Sequence, residues 1–282
     1  MKKIFLFMAV GAMSFHMNAQ VTAPQPSPAS KIEQKVGLTD FTIEYSRPGV
    51  KERTVFGNLV PFDKVWRMGA NKNSIITFTD NVTIMGQLLK AGSYSIFAIP
   101  GEKEWEVLFY TDTENWGTPE KWDDGKVAAR VFVEVETLPF NVETFTFDIN
   151  QITNSGATLD MMWEKTYISV PFSVPTDDKV LASINEVLNN SPKASDYYSA
   201  AVYYSEEGKD MKQAKEWIDK AMKMMDKPMF YHVRQQAIIY AKAGDIKGAT
   251  KLAKESLKGA EKAGNADYVK MNKELISKLE GK

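Results

Sequence analysis

Hydrophobic and polar positions alternate with period two from about residue 41. In "FTIEYS", Phe41, Ile43 and Tyr45 alternate with Thr42, Glu44 and Ser46, the pattern of a half-buried strand. Further strands are predicted at "SIITFT", "VTIMG", "SYSIFAI", "WEVLFYT", "VAARVFVEVE", "VETFTFDIN", "ATLDMMWE" and "YISVPF". Turn signals separate most of them: "KAG" before Ser93, "PGEKE" after Ile99 and "NSG" before Ala157. Nine short strands without convincing helices predict an antiparallel β-sandwich or jelly-roll-like domain over residues 31–172. A Pro/Ser-rich leader, residues 20–30, precedes it.

The period then changes to 3.6. Val180, Leu181, Ile184, Val187 and Leu188 mark one face of a short helix within a linker, residues 173–194. Residues 195–282 carry an internal echo. Tyr204 is followed by Gly208, Ala214, Ile218 and Ala221; Tyr240 is followed by Gly244, Asp245, Ala249, Ala253 and Ser256. Small residues at Ala214 and Ala249 suit close helix crossings. Gly208 and Gly244 suit tight left-handed turns. This resembles the tetratricopeptide pattern of paired antiparallel helices, with "NADYVKMNKELISKLE" as a polar capping helix. The match is partial. Tyr197 or Val233 stands at the early Trp position, the first turn has one extra residue, and the closing Pro is represented only by Pro228.

Charge and composition narrow the function. The formal charge of the 282 residues is -1, which gives no general attraction to nucleic acid or anionic membrane. The first nineteen residues place Lys2 and Lys3 before an apolar run that ends at Ala19, as in a secretory signal peptide. Cleavage there removes two lysines and moves the charge from -1 to -3. No later stretch is long and apolar enough to be a transmembrane segment. The expected location is the periplasm of a Gram-negative bacterium, with full secretion as the alternative. There is no cysteine, so disulfides cannot support the fold. After signal removal His232 is the single histidine, which argues against zinc sites and histidine triads. It is expected on a helix surface. No cofactor motif is present: the phosphate-binding and dinucleotide Gly-rich loops are missing.

Candidate chemistry concentrates in "YSRPGVKERTVFGNLVPFDKVWRMGAN", Tyr45 to Asn71. Arg47, Arg53, Trp66, Arg67 and Asn71 form a potential receptor for a small anionic ligand or glycan, since the guanidinium fork matches carboxylates and phosphates. The same fork satisfies buried carbonyls, and Trp66 with Phe56 would plug an open core, so a purely structural module is the competing reading. A second loop, "TDTENWGTPEKWDDGK", offers Trp116 and Trp122 for stacking on sugar rings. Its Asp112, Glu114, Asp123 and Asp124 match no EF-hand spacing, and no metal is expected. Paired carboxylates running glycan hydrolysis without histidine are a further alternative. In the helical half, Tyr198, Arg234 and Lys242 are candidates for contacting a protein partner.

The long motif from Tyr45 to Asn71, with "AGSYSIFAIP" and "WEVLFYTD", closely resembles the bacterial family called domain of unknown function 2911. The resemblance covers about Ser30 to Phe172. It implies an exported protein, one of those members with helical repeats behind the domain. It implies no activity, and it leaves binding and folding roles for the arginine loop equally open.

Overall fold

The computed structural model describes residues 23–281, so the predicted signal segment lies outside the described residues. The chain divides into two compact units, with the division between Val174 and Pro175.

Among the described residues the first unit has ten strands: β1 (Ala29–Val36), β2 (Thr39–Ser46), β3 (Ile75–Phe78), β4 (Val82–Ile84), β5 (Gln87–Leu89), β6 (Gly92–Pro100), β7 (Glu104–Tyr110), β8 (Val127–Glu134), β9 (Glu136–Asn150) and β10 (Gly156–Ser173). Six form one antiparallel sheet, in the order β1-β2-β3-β6-β7-β8. Four form a second, in the order β5-β4-β10-β9. Their inner faces share one core. Ile43, Ile96 and Val107 from the first sheet join Phe147, Leu159 and Ile168 from the second. Phe41 and Phe172 meet across the layers with ring centroids 4.8 Å apart. The alternation in "FTIEYS" is therefore what divides β2 between core and solvent.

The strand pattern differs from expectation in three places. "ATLDMMWE" and "YISVPF" belong to one strand, β10, which continues through Glu164 at φ 56°. The register against β9 shifts on either side of Glu164, as at a bulge. β1 carries no strand prediction, because only Val36 on it is buried and Lys31, Glu33 and Lys35 give it a polar composition. β5 is three residues long, too short for periodicity to reveal.

The second unit holds six helices: α1 (Thr176–Leu188), α2 (Ala194–Glu206), α3 (Met211–Met224), α4 (Phe230–Lys242), α5 (Ile246–Lys262) and α6 (Ala266–Leu279). Gly208, Gly244 and Gly264 take left-handed φ values of 62°, 84° and 66° in the turns before α3, α5 and α6. An Asp or Asn then caps each following helix. Asp210 accepts from the Lys212 and Gln213 amides, Asp245 from Gly248, and Asn265 from Tyr268. Ala214 and Ala249 are fully buried, as close helix crossings require. This is the tetratricopeptide-like organisation of successive helical hairpins.

A titratable contact ties α1 to α2 and its following turn. Asp177 accepts from Lys209 Nζ at 2.6 Å and from the Tyr203 hydroxyl at 2.8 Å. Lys209 and then Tyr203 hold its carboxyl below the ordinary value. A depressed carboxyl contributes stability above its unfolded pKa, about 3.9, and loses it as pH falls through the lower folded value. Acid unfolding of the helical unit should therefore shift to a flatter profile below about pH 4 in Asp177→Asn. Circular dichroism at 222 nm against pH checks this; identical profiles would remove Asp177 from the acid response.

Candidate functional site: a basic cavity under the arginine loop

The loop between β2 and β3 begins by covering β9. Arg47 donates from Nε to the Phe145 carbonyl at 3.0 Å and from Nη2 to Thr146 Oγ1 at 2.6 Å. The Phe145 amide donates to the Pro48 carbonyl at 2.9 Å, and Val50 to Glu143 at 2.8 Å. The chain then turns through Lys51 and Glu52, both left-handed at φ 49° and 59°. That conformation costs roughly 1–2 kcal/mol for each L-residue. Arg53 holds the turn, donating to the carbonyls of Val50 at 2.9 Å and Gly49 at 2.7 Å. Two of the three arginines thus serve the backbone.

Trp66 pairs its backbone with Ala98 in both directions, at 2.7 and 2.8 Å. Its ring stacks on Trp163 with centroids 5.9 Å apart and meets Phe56, Trp105 and Phe145 edge-on. Phe56 and Trp66 therefore plug the end of the sandwich. Asn71 is left-handed at φ 58°, and its Nδ2 lies 3.3 Å from both the Ser27 carbonyl and Ser46 Oγ.

What remains is a cavity of about 400 Å³. Pro26, Pro48, Pro61, Leu59, Trp66 and Trp163 give it an apolar wall, while Lys51, Arg53, Lys64 and Arg67 bring positive charge. No Asp or Glu is among its lining residues. Arg67 is the third arginine, and it differs from the other two. Its Nε is buried with no acceptor among the described residues, and burial pulls its pKa below the ordinary arginine value. Trp163 Nε1, in the same lining, is a second buried donor without an acceptor among the described residues. Leaving such a donor unsatisfied costs about 1–3 kcal/mol. Gly117, left-handed at φ 103°, lets the second loop approach: a Cβ there would sit 3.0 Å from Arg67 Nη1.

The two tryptophans of that second loop part company. Trp122 stacks on Tyr110 at 4.7 Å, meets Phe97 edge-on, and donates from Nε1 to Asp124 at 3.0 Å. It covers the outer side of the six-stranded sheet. Trp116 is 76% exposed. Asp112 pairs with Lys126 at 2.9 Å and Asp124 with Arg130 at 2.9 Å, while Asp123 caps the 3-10 turn that follows it. Among the described residues no group of His, Cys, Asp and Glu is arranged to hold a metal.

In the helical unit Tyr198 on α2 meets His232 on α4 edge-on, with centroids 5.2 Å apart. His232 Nδ1 accepts from the Met229 amide at 3.1 Å, a capping contact at the start of α4. Lys242 Nζ donates to the Ser205 carbonyl, so its charge serves α2. Arg234 Nε is buried without an acceptor among the described residues. Lys51, Lys64 and Trp163 were not among the residues singled out from sequence. A tryptophan in "DMMWE" reads as core, and nothing in its neighbours signals an unpaired indole N–H.

The molecule is thus an antiparallel β-sandwich with a basic end cavity, followed by helical hairpins. Residues 27–172, more than half of the chain, match the family described as "Protein of unknown function (DUF2911)", and the chain belongs to that family. No curated protein and no solved structure matches the chain.

Proposed function

We propose that the β-sandwich is a receptor for a small anionic ligand in the cell envelope, and that the helical unit contacts a protein. The exported setting rests on the N-terminal sequence pattern. The ligand reading rests on one observation: two buried donors, Arg67 Nε and Trp163 Nε1, lack acceptors beside a cavity lined by basic residues and no carboxylate. A carboxylate or phosphate oxygen supplies the missing acceptor. Lys51 and Lys64 add attraction, and the proline and tryptophan wall takes the ligand's carbon skeleton. A glycan bearing an acidic group fits this description. Paired-carboxylate hydrolysis gains no support from the lining. A structural role is favoured only for Arg47 and Arg53, by their carbonyl bonds.

The test is a thermal-shift titration with acidic sugars, sugar phosphates and small carboxylates. Arg67→Met keeps the apolar stem and removes the unpaired charge. It should abolish every saturable shift while leaving the ligand-free melting temperature unchanged or higher. Trp163→Phe keeps a ring and removes the N–H; hydrogen bonds to charged groups contribute about 1.5–3 kcal/mol, so affinity should fall roughly tenfold or more. A ligand-free Arg67→Met protein that loses more than about 2 kcal/mol would assign Arg67 to folding instead.

A further inference from the structure

A second cavity, of about 430 Å³, lies on the outer face of the six-stranded sheet, where β1, β2 and the approach to β3 run side by side. Lys31, Glu44 and Ile75 stand in register across the three strands. Glu44 belongs to the solvent-facing set of β2, opposite to the buried Ile43 and Tyr45. Its carboxylate has only a longer-range attraction to Lys31, whose ammonium pairs with Glu33. Lys72 is nearly as free, with a single contact of 3.6 Å to Glu114.

Asn73 is the second, independent mark of a site. It is 2% exposed and lines this cavity. Its Oδ1 accepts from the Gly117 amide at 3.0 Å, which fixes the orientation of the side-chain amide. Its Nδ2 is then a buried donor with no acceptor among the described residues. Basic groups and an unsatisfied donor call for a carboxylate, but Glu44 in the same lining would repel a simple anion. A ligand carrying both charges satisfies all three.

We infer that this cavity binds a small zwitterion, its carboxylate held by Lys72 and Asn73 Nδ2 and its ammonium by Glu44. A free amino acid and a short peptide share this chemistry. The site is separate from the basic cavity and does not depend on its ligand.

Calorimetric titration of the intact two-unit protein tests it, using glycine, L-alanine, L-glutamate and glycylglycine, with acetate and methylamine as single-charge controls. Saturable binding of at least one zwitterion is expected, with both controls at least tenfold weaker. Preference for the amino acids or for glycylglycine tells which source fits. Glu44→Gln should weaken binding at least tenfold. Asn73→Asp keeps the acceptor for Gly117, replaces the donor with an acceptor, and should abolish binding. If Asn73→Asp does not fold, the exposed Glu44→Gln substitution decides alone. The inference is overturned by no saturable response to any zwitterion, by acetate binding as well as glycine, or by unchanged affinity in Glu44→Gln.

Discussion

Trp66→Ala should destabilise the β-sandwich by about 3–5 kcal/mol, the range for truncating a large aromatic ring in a packed cluster. The ring touches four others, from the loop itself (Phe56), β7 (Trp105), β9 (Phe145) and β10 (Trp163). These neighbours come from both sheets, so no single element can move to fill the space. The backbone pairing with Ala98 keeps the loop fixed while the ring is removed, which favours a residual cavity over collapse. Denaturant unfolding followed by tryptophan fluorescence measures the loss. A change below about 1 kcal/mol would mean that the ring cluster is not what closes this end of the core.

A second large effect is expected from Ile218→Ala, with a loss of about 2–5 kcal/mol confined to the helical unit. Ile218 is fully buried on α3 and shares its cluster with Ala201, Ala214 and Ile239. Two of these neighbours are alanines, which have no side chain able to swing into a void. The readout is the melting of ellipticity at 222 nm, with the amide-exchange protection of the sandwich strands followed alongside. Equal losses in both signals would contradict the separate cores of the two units.

The parts of this molecule legible in its sequence are those with local causes. Alternation in β2 follows from which face meets the core, whereas residues 94–98 of β6 and 107–110 of β7 are buried on both faces and are legible as short apolar runs bounded by turns. The turns at Gly208 and Gly244 follow from backbone sterics, and the small residues at Ala214 and Ala249 from helix crossing. The fates of the three arginines were not legible, because their partners are remote or missing. Arg47 bonds residues 98 and 99 positions away, and Arg53 bonds its own turn. Arg67 is distinguished by a buried Nε that has no acceptor among the described residues, which no pattern of residue types records. β1 was hidden for a related reason. Its strand state comes from pairing with β2 along its whole length, while its own residues, mostly charged or polar, carry little apolar signal. Tryptophan spacing likewise could not separate Trp122, which folds onto Tyr110, from the exposed Trp116.

The covering of β9 by Pro48 and Val50 bears on how the protein behaves when crowded. An edge strand with free amides and carbonyls is a template for adding further strands from other chains. Here the opening of the arginine loop occupies part of the β9 edge. At the other end, the Gln87 side chain mimics a strand: its amide donates to the Arg130 carbonyl and accepts from the Arg130 amide, joining edge strands β5 and β8. The remaining edge, β1, displays Lys31, Glu33 and Lys35, charges that repel incoming strands of like pattern. A sandwich with its borders managed in this way is protected against sheet-to-sheet aggregation without the help of a disulfide.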